Sequence, residues 1–301
     1  MQTIEHTIPK PFNLVNSIKS HGWFQLIPYY WDEATQSLTW AMRTATGAAI
    51  AVSVSETGTK KDQVTLEFRL HDSAMAEPKE IIQHFHYLMN LDLDLTGFYQ
   101  LCATHPVISV VPKRGMGRML RSASVFEDVF KSICGTNVQW RQAVKMINAI
   151  AGIGTMVPGT DLRIFPTPGQ ILEAGESFLK DVGRVGYRSS YLVDLCERAL
   201  KPDKMGERIE KERAPYKELF DYFTGFKGIG KVTARYLCAL YGRFDELSID
   251  SLVISYMSKI YFNGEKPTVK QIEDIFNQYG EWQYLVYWTE FIVNKGWDPD
   301  A

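Results

Sequence analysis

The sequence predicts an α+β protein, with a small N-terminal antiparallel β-domain followed by a mostly α-helical domain that contains a helix-hairpin-helix. Three observations carry this prediction. The first seventy residues hold short segments rich in β-branched and aromatic side chains, separated by turn signals. From Pro78 the apolar residues recur with helical spacing. Near residue 228 a Gly-Ile-Gly turn joins two amphipathic segments.

The expected strands are Trp23–Trp31, Leu38–Arg43, Ala49–Ser55 and Val64–Leu70. The turn signals Asp32-Glu33, Thr46-Gly47 and Gly58–Asp62 separate them, so sequence neighbours should pair in space. Ile81, Ile82, Phe85, Leu88 and Met89 then form one helical face. Further helices are expected at Ser124–Ile133, Trp140–Ile150, Pro168–Ala174, Ser189–Leu200, Tyr216–Phe226, Lys231–Tyr241, Ser251–Tyr261, Val269–Tyr279 and Trp282–Asn294. Strands followed by a run of helices means two segregated parts. The expected division is 1–110 for the β-domain with its linker helix, and 111–301 for the helical domain.

Composition narrows the function classes. At 301 residues, 45% apolar and 23% charged, the chain can build a core without staples. The N-terminus has no signal-peptide pattern, and no apolar run reaches the roughly 18 residues of a membrane helix. A monomeric cytoplasmic protein without membrane contact is therefore expected, nucleoid-associated if the source is bacterial. Cys102, Cys134, Cys196 and Cys238 form no C-x-x-C pair, which leaves no zinc or iron–sulfur ligand set, and three of the four sit in apolar helical contexts that suggest buried thiols. No P-loop or ligand cluster calls for a cofactor. The net charge is −2, yet Val111–Lys145 holds seven bases (Lys113, Arg114, Arg118, Arg121, Lys131, Arg141, Lys145) against Glu127 and Asp128. Such an excess could engage phosphates, or be only a solvated surface.

The informative stretch is YKELFDYFTGFKGIGKVTARYLCALYGRFDELSIDSLVISY, residues 216–256. Gly228 and Gly230 let the backbone approach a ligand closely, and Ile229 plugs the hairpin between its helices. The unpaired N–H groups that open the second helix suit an anion, such as a DNA phosphate with a bridging monovalent cation. Gly228, Ile229, Gly230, Lys231 and Thr233 make up this expected backbone grip. Asp250 follows Gly230 by 20 residues and precedes a helical run, as an N-cap does. A carboxylate held by its own helix terminus stays oriented for electrostatic catalysis.

Hairpin, helix, loop and aspartate together resemble the helix-hairpin-helix DNA glycosylase superfamily, in which the aspartate matched by Asp250 of LSIDS is catalytic. SVFEDVFKSICGTNVQW (124–140) resembles the helix that opens the glycosylase domain. FPTPGQILEA (165–174) and DVGRVGYRSSYL (181–192) match another family segment. LDLDLTGFYQLCATHPVISVVPKRGMGRMLR (91–121) is similar to the linker of the bacterial 3-methyladenine glycosylase II branch. The N-terminal strands resemble the β-domain of that branch and of the 8-oxoguanine glycosylases. The likeness covers residues 10–295.

The resemblance implies double-stranded DNA with damaged bases as the partner, and base flipping as the route to the bond. Where bifunctional relatives carry a Schiff-base lysine, this chain has Val232. Lys231 is one residue early, about 100° away on a helix. That departure leads to the expectation of a DNA-3-methyladenine glycosylase II-like hydrolase without lyase activity, acting on alkylated purines. Val232, Tyr236, Tyr187 and Trp282 are the expected base pocket, since electron-rich rings favour a cationic base. Asn137, after Cys134-Gly135-Thr136, matches the wedge that fills the gap left by the flipped base. No histidine is expected near these motifs. The alternatives are an 8-oxoguanine-type glycosylase of the same fold and a non-catalytic helix-hairpin-helix DNA-binding protein.

Overall fold

The computed structural model describes residues 2–71, 76–211 and 214–295. The N-terminal part is a five-stranded antiparallel sheet of β1 (Thr3–Pro9), β2 (Tyr29–Asp32), β3 (Ser37–Arg43), β4 (Ala49–Thr59) and β5 (Gln63–Leu70). The strand order is β1-β5-β4-β3-β2, so β2 to β5 form a meander and β1 closes the far edge. Leu38, Trp40, Val52, Val54, Leu66 and Phe68 alternate onto the buried face. The sheet and most of the helices share one continuous apolar core.

Among the described residues, thirteen α-helices follow or interrupt the sheet: α1 (Leu14–Ile18), α2 (Pro78–Met89), α3 (Thr96–Cys102), α4 (Val125–Gly135), α5 (Trp140–Ala151), α6 (Pro168–Asp181), α7 (Ser189–Ala199), α8 (Lys204–Lys211), α9 (Tyr216–Thr224), α10 (Lys231–Leu240), α11 (Ser251–Tyr261), α12 (Val269–Phe276) and α13 (Gln283–Lys295). Helix α2 lies on the sheet, where Phe85 meets Phe68 edge-on at 5.0 Å.

Three expectations change. The segment Trp23–Trp31 is not one strand. Gly22–Gln25 forms a 3-10 turn and only Tyr29–Asp32 joins the sheet, because Pro28 has no N–H to give a ladder. Strand β1 escaped notice because Glu5 and His6 break its apolar run, although Ile4, His6 and Ile8 share one face. Helix α6 runs past Ala174 to Asp181, turning at Gly175 with φ 81°. The short helices α1, α3 and α8 were also not foreseen.

All four cysteines are buried thiols, one more than the sequence suggested. The basic run of 111–145 divides. Arg121 and Lys131 are buried, and Arg118 bonds the carbonyl of Leu93 at 3.3 Å and that of Asn90 at 2.5 Å. Lys131 Nζ donates to Glu127 Oε1 at 2.6 Å and to Ser122 Oγ at 3.1 Å. These three charges satisfy internal carbonyls and a carboxylate, and so cannot meet a surface anion. Lys113, Arg114, Arg141 and Lys145 remain on the surface.

Candidate functional site

Helix α9 ends at Thr224, two residues before the expected Phe226. Chain direction reverses over Phe226–Gly230 and α10 begins at Lys231. Gly228 has φ 87°, and a Cβ there would lie 2.7 Å from Tyr191 Cδ2. This glycine is required by the fold itself. Gly230 differs: it has φ −86°, and a Cβ would meet nothing within 4 Å. Its bareness serves nothing inside the protein. Ile229 is 6% exposed and belongs to the core. Gly230 caps α10 without a side-chain hydrogen bond, so the first N–H groups of the helix face outward. Lys231 and Val232 are exposed there and Thr233 is half-buried.

Helix α10 closes on Gly242, with φ 73°. Arg243 N donates to Cys238 O at 2.9 Å and Gly242 N to Ala239 O at 3.0 Å, the paired bonds of a Schellman ending. The loop that follows is tied down three times. Arg235 meets Glu246 at 2.6 Å, Ser248 Oγ donates to the Val232 carbonyl at 2.8 Å, and Tyr284 N donates to Phe244 O at 2.9 Å. The loop thus delivers Asp250 to a fixed place beside the hairpin helix.

Asp250 is the N-cap of α11, its Oδ1 accepting from Val253 N at 2.9 Å. The residue has exposed surface, yet protein crowds its carboxylate. Loss of solvent raises its pKa above the ordinary aspartate value, and the N–H groups of Val253 and Leu252 oppose that rise. Burial and then the charge of Asp250 push the Tyr284 and Tyr287 phenols up.

An aromatic cluster stands beside this carboxylate. Tyr236, one turn beyond Val232, meets Trp23 edge-on at 5.6 Å. Trp23 stacks on Trp140 at 6.0 Å and 10°. On α13, Tyr284 stacks on Trp288 at 6.2 Å. The expectation of no histidine near the motifs is corrected. His21 Nδ1 lies 3.3 Å from the Tyr236 hydroxyl, and its Nε2 lies 2.6 Å from Leu120 O. The carbonyl requires a donor, so Nε2 carries the proton and Nδ1 accepts from Tyr236. Burial lowers the His21 pKa to about 3, keeping the ring neutral.

The structure therefore brings Asp250, Val232 and Tyr236 together with His21, Trp23, Trp140 and Tyr284. Sequence reasoning missed these last four. Their signal was weak: HGWFQ reads as strand, and only folding carries it to α10. Tyr187 lies elsewhere, 56% exposed, its hydroxyl 3.5 Å from Asn137 Nδ2. Asn137 has the left-handed φ of 52°. Tyr187 meets Tyr191 at 5.9 Å, and Tyr191 lies against Gly228. Asn137, Tyr187 and the hairpin thus follow one another across one surface. Trp282 packs against Phe98 and Phe244, at 5.8 and 6.0 Å, and not with the rings around Tyr236. Among the described residues, no group of three or more His, Cys, Asp or Glu could hold a metal ion. No helix there is long and apolar enough to cross a membrane.

No protein-family model matches the chain. A DNA-3-methyladenine glycosylase of Bacillus subtilis (strain 168) is 25% identical over 230 residues, 73% of this chain and 75% of that protein. A 3-methyladenine DNA glycosylase from Archaeoglobus fulgidus has a similar fold, with TM-score 0.74, 21% identity and coverage of 98% of this chain and 99% of that one. An 8-oxoguanine glycosylase/lyase of Clostridium acetobutylicum, solved with double-stranded DNA, gives TM-score 0.68 at 17% identity and covers 99% of each chain.

This last likeness corrects the expectation of a hydrolase without lyase activity, since the matched fold is one that carries a glycosylase/lyase. Lys231 is exposed in the first turn beside Val232, and its amine rides on a flexible four-carbon stem that one residue of offset does not aim away. The sequence likeness and the fold likeness agree over most of the chain, which has the fold of these DNA glycosylases, an N-terminal β-domain followed by a helical domain with a helical hairpin.

Proposed function

We propose that the protein is a DNA glycosylase that grips damaged duplex DNA, takes one damaged purine out of the stack, and cuts its N-glycosidic bond. The observation that carries this reading is the placement of Asp250: a cap-held carboxylate, open to solvent, beside both an aromatic cluster and a bare helix N-terminus. Cleaving the bond builds positive charge on the sugar, and a nearby carboxylate lowers the energy of that state. The outward N–H groups of α10 suit a backbone phosphate, which positions the duplex without reading sequence. Gly230 leaves room for that approach. Asn137, exposed in a left-handed turn beside the Tyr187 hydroxyl, is the residue assigned the wedge role in this reading. A grip alone would need the glycines but not the acid.

Two classes of damaged purine have support. The Bacillus relative is named for 3-methyladenine, and electron-rich rings suit a cationic alkylated base. The fold likeness to the Clostridium 8-oxoguanine glycosylase/lyase spans the whole chain and supports an oxidised purine at least as well. Duplexes each carrying a single lesion test both. Release of 8-oxoguanine or of an alkylated purine assigns the class. Release of no base from any duplex, with DNA still bound, would leave a binding protein instead.

A further inference from the structure

The base site proposed above is not built by the helical part alone. The 3-10 turn Gly22–Gln25 leaves the sheet side of the molecule and inserts among α4, α5 and α10. Trp23 is buried, and its Nε1 donates to Asp128 Oδ1 at 2.7 Å. Asp128 is fully buried too, and two further donors complete its carboxylate: Ser122 N at 3.0 Å and the Tyr241 hydroxyl at 2.9 Å. One side chain of α4 therefore joins the N-terminal turn to the end of α10. The same turn holds Trp140, whose Nε1 donates to Gln25 Oε1 at 2.6 Å. Gly22 makes this close packing possible, since a Cβ there would collide with the Trp140 ring. Asn148 of α5 pins the turn from the other side, accepting from Ile27 N at 3.0 Å and donating to Gln25 O at 3.2 Å.

The hydrogen bonds of both indoles are thus committed inward, to Asp128 and Gln25. What Trp23 and Trp140 offer the site is ring surface alone. Trp23 meets Tyr236 edge-on, and His21 of the same segment accepts a hydrogen bond from the Tyr236 hydroxyl. The half-buried rings left to meet a base are Tyr236 and Trp140, and both take their angle from this turn.

We propose that the Gly22–Gln25 turn positions the aromatic wall of the base site, with Trp23 and Asp128 as one coupled pair of positioning residues, so that selectivity between damaged bases depends on the N-terminal half of the chain. The inference rests on the glycosylase reading. Its consequence is specific. Loosening the pair should change which base is released, and not merely how much active protein is present.

The test measures single-turnover release of 8-oxoguanine and of 7-methylguanine from matched duplexes by the wild type, Trp23→Phe, Asp128→Asn and the double variant. Trp23→Phe keeps a ring and removes the N–H. The ratio of the two rates is the readout, because a uniform loss of folded protein cancels from it. Each single variant should shift the ratio on the order of 3- to 10-fold, the worth of one aromatic contact. The double variant should shift it no further than the larger single change. Affinity for undamaged duplex should stay within about twofold, as backbone contacts carry no base information. If Asp128→Asn does not fold, Trp23→Phe and Gln25→Leu make the same test from the turn itself. An unchanged ratio in folded variants, or single effects that simply multiply, would overturn the inference alone. Release of no base by the wild type would overturn the glycosylase reading and this inference with it.

Discussion

Ser248 Oγ donates to the carbonyl oxygen of Val232 at 2.8 Å. This bond links the first turn of the hairpin helix to the loop that ends two residues later at Asp250. The proposed DNA grip and the proposed catalytic carboxylate are thereby held at one fixed separation. Ser248 is buried, so the bond is shielded from competing water. Ser248→Ala should cost about 1 kcal/mol of stability. It should slow base release by more than that loss accounts for, on the order of 3- to 10-fold, because a slightly displaced carboxylate faces the sugar less well. Thermal melting and single-turnover rates separate the two effects. A slower rate fully explained by a smaller folded fraction would contradict a positioning role.

The two hairpin glycines should fail in different ways. Gly228→Ala forces a side chain into a left-handed conformation and against Tyr191. It should destabilise the fold by about 1–2 kcal/mol. Gly230→Leu meets open space and should melt close to wild type. It should nonetheless weaken binding to damaged and undamaged duplex alike, since the lost contact is to the backbone. Titrations of both duplexes, set beside the melting curves, check this. Weaker binding of lesion DNA only would contradict the grip.

Acid should destabilise the protein through two histidines, the buried His21 and the half-buried His84. Burial lowers His21 from 6.5 to about 3 and His84 from 6.5 to about 4. His84 Nδ1 accepts from Trp40 Nε1 at 3.1 Å. Each folded pKa is depressed, so the stabilisation is complete above 6.5, the unfolded value, and is lost as pH falls towards 4 and 3. The midpoint of urea unfolding should therefore fall between pH 6.5 and 4, and His84→Gln should flatten that slope. An unchanged slope would show that the ring does not resist protonation.

The hairpin and the Asp250 cap were legible in the sequence because each is local: glycines at a fixed offset, and an Asp before a helical run. The meander was legible for the same reason, since short turns join its strands. The aromatic cluster was not legible. His21 and Trp23 lie more than 200 residues from Tyr236, and no periodicity links them. Their segment alternates like a strand until Pro28 is taken into account. The basic run misled in part, because residue type does not show direction, and Arg118, Arg121 and Lys131 turn inward. Trp282 shares its type with a pocket residue but lies one seam away, against Phe98 and Phe244.

The most direct measurement is base release by Asp250→Asn, made alongside its stability. Burial raises the Asp250 pKa above its ordinary value, so the stabilisation from its protonated form is lost as pH rises through that folded value. The ionised carboxylate at neutral pH therefore costs stability, and asparagine caps a helix equally well. The variant should melt at or above the wild-type midpoint at pH 7 and bind lesion duplex within a few-fold. Its base release should be slower by on the order of 100-fold or more, the worth of one electrostatic term of about 3 kcal/mol. Release near the wild-type rate by the folded variant would contradict the central claim.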